Sequence, residues 1–479
     1  MASSTQHSAP IAIIGGGISG LAAAFELTTL RMPFVLFERA LRLGGVIRTE
    51  LIDGYTIDGG PDALLTQKPA ALDLCAALGL ADRLQPQAAR ATFVVRDGRL
   101  RRLPEASVLG IPTRWLPFVT TEAFSLRGKL RMAAESLLPR GATPGDESIA
   151  SFIGRRFGRE AVDYLAEPLL AGIHGGDASR LSMRLAFPRL LDLEAQSRSV
   201  ILGLREAGRS RPNGTPGPPP FVALPGGMRE LTDALESALP PASIRRGTTV
   251  QSLKRGCDGY TLRLGDGTSL EARAVLLAAP PPAASRVLES LDRDLHILIA
   301  RIRMASVATV ALGYRRDVVT RELAGAGFVV PRRERRSVHA VSWVSSKWAG
   351  RAPEDRVLLR AFLGGVFDPR ALDLDDGALV NRAAGDIAAL LGIRAQPELA
   401  RVYRFRDATA QLEVGHREVM GAIEHRITAH PGLFLTASGF RGTGIADCVA
   451  DGRAQAARAA DYVFARVSEI SDRTLPASG

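Results

Sequence analysis

One stretch near the start of the chain restricts its fold more than any other. Ile11-Ala12-Ile13-Ile14 is a short apolar run of strand character, followed at once by Gly15-Gly16-Gly17-Ile18-Ser19-Gly20 and then by a helical stretch, Leu21–Leu30. This is G-x-G-x-x-G in the context that gives it meaning, with a strand before it and a helix after it. Gly15 permits the tight turn, Gly17 lets the backbone approach a pyrophosphate, and Gly20 allows the helix to pack closely on the strand. The helix start then offers N–H groups and a positive dipole to the phosphates. A second apolar run, Phe34–Phe37, ends in Glu38. An acid about 20 residues past the glycines accepts ribose hydroxyls and disfavours a 2′-phosphate. The chain therefore opens as a βαβ unit built for a dinucleotide.

The remainder must form more than one lobe, because 479 residues at 46% hydrophobic content exceed one ordinary core. Residues 1–9 read as a polar, disordered leader. Residues 85–210 read as an inserted, mostly helical lobe, with helical stretches near 125–140 and 147–172 and turns marked by Pro104, Pro112, Pro117 and Pro144. The run 211–220 is a linker or exposed loop by composition. Ala274–Ala279 reads as a buried strand. Candidate strands at 305–313, 326–330, 338–344 and 356–363 predict an antiparallel sheet. A strand at Leu433–Thr436, a glycine-rich loop and an Ala-rich helix over 445–467 complete the chain. The expected class is α/β, or α+β overall.

A net charge of +11 raises the question of nucleic acid. Arg is spread along the whole chain, however, and no basic stretch is interleaved with aromatics, so an anionic small molecule or an acidic membrane surface fits better. Cys75, Cys257 and Cys448 are far apart and form no C-x-x-C, which argues against a disulfide framework and for a reducing, cytoplasmic setting. The run Ile11–Leu27 is broken by glycines and has no basic residue before it, so it is not a signal peptide. No uncharged apolar run of about 18 residues suggests a membrane span. His416, His425 and His430 are not i, i+4 partners, so no metal site is expected.

Further segments carry a resemblance. Arg42-Leu43-Gly44-Gly45, just after Glu38, resembles the R-x-G-G segment of amine-oxidase-like flavoproteins. Gly442-Thr443-Gly444-Ile445-Ala446-Asp447 resembles their C-terminal FAD segment. Tyr55–Asp62, Glu167–Asp177 with Leu181-Ser182-Met183, Leu224–Met228 and Gly439–Asp447 together resemble the oxygen-dependent protoporphyrinogen/coproporphyrinogen III oxidases, over residues 10 to 465. Gly110–Phe118, Phe124–Lys129 and Ser199–Gly203 are most similar to the soluble, Gram-positive-type enzymes that oxidise coproporphyrinogen III. Lys68 matches that group. Thr92 falls where plant-like enzymes carry a propionate-binding Arg, with Arg90 two residues away. Four departures bear on substrate choice more than on the flavin. His174 replaces a usual Tyr, Ala446 often a Pro, and Phe405 a Trp, while Ala410-Gln411-Leu412 replaces Pro-Gln-Tyr.

The resemblance implies a Rossmann-like FAD-binding domain assembled from residues 10–84, 221–297 and 404–470. It implies a helical lobe over 85–210 that serves substrate and membrane, and an antiparallel substrate lobe over 298–403. FAD contacts are implied at Gly15, Gly16, Gly17, Ile18, Ser19, Gly20, Glu38, Arg39, Arg42, Gly44, Gly45, Val46, Gly60, Pro61, Asp62, Ala63, Val250, Gly444, Ile445 and Ala446. Substrate contacts are implied at Lys68, a propionate partner, and at Gly172, His174 and Phe405. No catalytic side chain is expected, since flavin N5 would take hydride from a bridging carbon in three two-electron steps, with oxygen as acceptor. The reaction would be coproporphyrinogen III to coproporphyrin III in heme biosynthesis, with protoporphyrinogen IX as the alternative substrate. An amine oxidase, a carotenoid desaturase and a non-enzymatic carrier that kept the fold are more distant readings. Weak peripheral membrane contact and docking to the next heme-pathway enzyme are further expectations, and Arg332–Arg336 reads as a solvated loop that could serve either.

Overall fold

The computed structural model describes residues 9–474 except 105–106, 109–110, 113–114, 142–144, 210–218 and 257. The leader, most of the 211–220 run, Cys257 and parts of Gly110–Phe118 thus lie outside the described residues.

The apolar strand Ile11–Ile14 sits at the centre of a five-stranded parallel sheet, in the order Ile244–Arg246, Phe34–Glu38, Ile11–Ile14, Ala274–Leu277, Leu433–Leu435. All four residues of the central strand are buried, as a parallel strand covered on both faces requires. The sheet draws on the beginning, middle and end of the chain. The helix Ile18–Thr29 follows the central strand and the helix Ile445–Thr474 follows the last one. Leu21, Ala24 and Leu27 share a core with Val449, Ala456 and Ala460. Gly452 permits this approach, since a Cβ there would lie 2.3 Å from the Ser19 carbonyl oxygen. Both helices therefore start at the carboxyl edge of the sheet. Strand order reverses there, and such switch points are where open α/β sheets bind ligands.

A seven-stranded sheet forms the second layer, in the order Leu399–Ala410, Met304–Arg315, Arg356–Gly364, Ala340–Trp343, Gly327–Val329, Thr92–Arg96, Arg99–Arg102. All its pairings are antiparallel except Gly327–Val329 with Thr92–Val94. Two differences from the sequence reading stand out. Residues 92–102, placed there with the helical lobe, are sheet strands. The strand 399–410 runs straight through the boundary drawn at 403/404. In the first case Arg96 and Arg99 flank an Asp97-Gly98 turn, with φ of 52° and 70°, and the paired strands are too arginine-rich to show alternation.

The third part is helical and has its own core, including Phe118, Phe124, Phe152, Phe157, Leu165 and Val200. The two long helical stretches expected there are broken. The first is Leu126–Ala133 followed by a 3-10 turn to Leu137, ahead of Pro139. The second breaks at Gly158, whose φ of 91° no helix accepts, and includes a π-helical turn at Val162–Ala166 before Glu167–His174. Fully buried Arg156 donates to Glu135 Oε1 (Nε, 2.8 Å). Glu135 also accepts from Ser199 Oγ and from the Val200 amide, which explains Ser199 at the start of the helix Val200–Arg209. No described helix is long and apolar enough to cross a membrane.

Candidate flavin and substrate site

At the glycine turn each residue has a steric reason. A Cβ on Gly15 would sit 2.6 Å from the Ala278 carbonyl oxygen, and one on Gly20 would sit 1.9 Å from the Gly15 carbonyl oxygen. Gly17 differs, because a Cβ there would meet nothing within 4 Å. The space over Gly17 is the cradle a diphosphate needs. The helix starts at Gly17 without a side-chain cap, so its first-turn amides, those of Ile18, Ser19 and Gly20, face that space with no capping oxygen. Glu38 stands at the end of the adjacent strand, and its carboxylate accepts from the amides of Gly16 (2.8 Å) and Ala40 (2.8 Å). Arg39 follows it and is exposed. Val250 lies in the core behind Phe37.

From this turn the structure leads in one direction. A Cβ on Gly45 would lie 3.1 Å from Gly17 Cα, and Gly17 bridges Gly44. Arg42 holds that loop by donating to the carbonyls of Leu43 (3.1 Å), Ile47 (3.0 Å) and Gly45. Val46 is partly exposed, and a Cβ on Gly60 would strike its carbonyl oxygen at 2.0 Å. The same point on Gly60 is 3.6 Å from the Phe405 ring. Phe405 pairs with Val307, and Val307 packs against Gly175 at the end of the helix Glu167–His174. Gly172, in that helix, approaches Ala340. The His174 side chain lies outside the described set.

On the other flank Lys68 meets the last helix. Its Nζ is 2.6 Å and 2.8 Å from the two carboxylate oxygens of Asp447, which also accepts from the Gly444 amide (3.2 Å). Ile445 and Ala446 open that helix beside it. The pair is half-exposed on the lysine side.

Several residues at the Gly59–Ala63 loop went unnoticed in the sequence. Thr309 Oγ1 donates to the Gly59 carbonyl (2.7 Å). Arg360 Nη1 donates to the carbonyls of Asp58 (2.6 Å) and Gly60 (2.8 Å). Asp62 accepts from Lys347 Nζ (3.0 Å) and Trp348 Nε1 (3.2 Å), and Arg360 Nη2 is 3.3 Å from it. Burial opposes ionisation of Asp62, but Lys347 and Arg360 outweigh it and hold the carboxyl well below the usual range. Arg360 carried a legible signal, being the lone charge inside Val357–Leu363. Behind the loop Asp58 pairs with Arg351 (3.1 Å) and accepts from Thr49 Oγ1 (2.6 Å) and the Met228 amide (2.9 Å), which accounts for Leu224–Met228.

Arg332–Arg336 is not simply a solvated loop. Arg332 pairs with Glu167 (3.5 Å) and Arg336 with Asp386 (3.4 Å), while Glu334 accepts from the amides of Asp97 and Gly98. His416 Nε2 lies 2.9 Å from the Phe440 carbonyl oxygen, and His430 Nε2 lies 2.6 Å from Asp292. Burial pushes the thiols of Cys75 and Cys448 up to about 11, so they stay protonated and unreactive.

A parallel sheet with an open glycine cradle at its switch point, joined by a continuous glycine path to an antiparallel sheet, defines a flavoprotein oxidoreductase architecture. The comparisons agree, and the chain belongs to the flavin-containing amine oxidoreductase family, which matches residues 18–460. Within it, the chain is 36% identical to the coproporphyrinogen III oxidase of Bacillus subtilis, across 95% of this chain and 98% of that one. It is 33% identical to the coproporphyrinogen III oxidase of Mycobacterium leprae, across 92% and 96%. A crystal structure from Exiguobacterium sp. 255-15, assigned as a protoporphyrinogen oxidase, superposes with a TM-score of 0.84 at 29% identity, covering 94% of this chain and 98% of that one. Cyclohexylamine oxidase from Brevibacterium oxydans shares the fold, with a TM-score of 0.68 at 17% identity and coverage of 95% and 100%.

Proposed function

We propose that the protein is an FAD-dependent, oxygen-using oxidase that converts coproporphyrinogen III to coproporphyrin III in heme biosynthesis, by three two-electron steps. The observation that carries this reading is the near end-to-end similarity to coproporphyrinogen III oxidases, at up to 36% identity, over a chain whose glycine cradle and Glu38 suit an adenine dinucleotide.

FAD bound here would supply a hydride acceptor, and the chain's own residues do the placing. The first-turn amides of the helix Ile18–Thr29 would hold the diphosphate. Glu38, at the end of the adjacent strand, would accept the hydroxyls of the adenosine ribose. Gly44, Gly45, Val46 and Gly60–Ala63 would line the ring system. Phe405, Val307 and the helix carrying Gly172 and His174 would offer an apolar wall to the faces of a flexible tetrapyrrole. Lys68, at the half-exposed edge, offers a cation to a propionate. Protoporphyrinogen IX would meet the same apolar wall and also offer Lys68 a propionate, so the choice of coproporphyrinogen III rests on the similarity to coproporphyrinogen III oxidases. Leu116, Val119, Leu126, Leu130 and Leu137 are all well exposed on the helical part, beside exposed Arg127. They are the surface we assign to peripheral membrane contact.

The test is turnover of both porphyrinogens in air by the purified, FAD-reconstituted protein, followed by porphyrin fluorescence. Higher kcat/KM for coproporphyrinogen III is the expected result. Higher kcat/KM for protoporphyrinogen IX would favour the alternative substrate, and turnover of neither would overturn the reading.

A further inference from the structure

The Asp58–Ala63 loop is held from one side by three separate elements of the seven-stranded sheet's half: Thr309 from Met304–Arg315, Arg360 from Arg356–Gly364, and Lys347 with Trp348 after Ala340–Trp343. The charges they bring do not balance. Asp58 is matched by Arg351. Asp62, the remaining carboxylate, faces two cations, Lys347 (3.0 Å) and Arg360 (3.3 Å). Lys347 and Asp62 are each 15% exposed and Arg360 is 5% exposed, so water screens this cluster weakly. Arg360 Nε is buried without an acceptor. One surplus positive charge in such a place costs free energy unless an anion approaches it. The glycine path described above runs from the open cradle at Gly17 through Gly45 and Val46 to Gly60, whose carbonyl Arg360 holds.

We infer that Lys347 and Arg360, around Asp62, form an electrostatic bed at the loop that would hold the flavin and would raise the bound cofactor's reduction potential, with Asp62 attenuating the effect. This rests on the reading that Gly60–Ala63 lines the flavin. The physical basis is that a neutral flavin would take on one negative charge with the hydride itself, while the proton of each two-electron oxidation would leave from the substrate cation. A nearby cation stabilises that reduced form more than the oxidised one. Lys347 and Asp62 are thus positioning residues that tune the cofactor, with opposite signs.

The experiment measures the flavin midpoint potential of the intact, flavin-loaded protein by dye-coupled reductive titration. Lys347→Met is expected to shift the potential down, Asp62→Asn to shift it up, and Lys347→Arg, which keeps the charge, to leave it near wild type. A loosened loop alone would move Lys347→Met and Asp62→Asn in the same direction, and that result, or no shift in either, would overturn the inference. If Asp62→Asn fails to retain flavin, the Lys347→Met and Lys347→Arg pair decides, since charge tuning requires them to differ. A wild-type protein that takes up no flavin would overturn the cofactor reading itself and this inference with it.

Discussion

At the residue scale, glycines carry the site for two distinct reasons, and substitution separates them. Gly17 has a φ of −74° and free space around its missing Cβ, so Gly17→Ala is compatible with the fold. It fills the cradle, and FAD affinity is expected to fall by ~10-fold or more, a loss of about 1.4 kcal/mol or more. Gly20→Ala instead drives a methyl into the Gly15 carbonyl and is expected to destabilise the apo-protein by ~1–3 kcal/mol. Fluorescence titration with FAD, beside chemical denaturation of both apo-variants, tests the contrast. Equal effects of the two variants on stability would contradict it. Lys68 belongs to this scale too. Its exposed ion pair with Asp447 contributes little to stability, so Lys68→Met is expected to leave the melting temperature nearly unchanged. It is expected to raise KM for coproporphyrinogen III about fivefold, the worth of one partly screened charge contact. An unchanged KM would remove Lys68 from the substrate site.

At the element scale, polar groups at helix starts and strand ends decide how the parts hold together. Asp292 caps the helix Arg293–Ala300 by accepting from the Leu295 amide (3.0 Å), and it pairs with Arg426 (2.6 Å) and His430 (2.6 Å). Burial opposes its ionisation, but those partners prevail and bring its pKa down to about 2 from 3.8. The sign follows from linkage: a depressed carboxylate stabilises the fold above its unfolded pKa and loses that contribution as pH falls through the folded value. The Asp292 contribution is therefore complete above about pH 4 and lost toward pH 2. Asp292→Asn is expected to flatten the acid limb of the stability curve in that window, measured by denaturation across pH. A parallel, merely lowered curve would show that Asp292 is not the titrating group.

What was legible in the sequence follows from the range of the interactions. The strands 305–313, 326–330, 338–344 and 356–363 were readable because each is a short apolar run bounded by turn residues, and the observed strands start and end within two residues of those limits. The Gly15–Gly20 turn was readable because its whole argument is local. The ties on the 58–62 loop were not. Lys347 meets Asp62 across 285 positions, and Arg360 meets the Gly60 carbonyl across 300, so no spacing in the sequence marks either contact. The strands at 92–102 were missed because the strand that joins Thr92–Val94 to the sheet, Gly327–Val329, lies more than two hundred residues away, and the arginines of the Thr92–Arg102 hairpin hide the pattern.

At the scale of the whole molecule, the chain's two ends and its middle share one sheet, so the elements around the cofactor cradle come from all three parts of the chain. The helical part carries exposed leucines on its outer face, and the purified protein is expected to co-sediment with anionic vesicles at low salt. Leu126→Asp with Leu130→Asp is expected to abolish that binding while leaving turnover of soluble substrate intact. Binding that survives both substitutions would assign the contact elsewhere. The measurement that tests the central claim most directly is a single anaerobic mixing experiment. FAD-loaded protein is combined with coproporphyrinogen III without oxygen, and the visible flavin band is followed. The proposed chemistry predicts that the band bleaches without oxygen, because each flavin takes one of the three electron pairs, and that the band returns and porphyrin fluorescence rises on admitting air. A flavin band that persists in the presence of coproporphyrinogen III would contradict it.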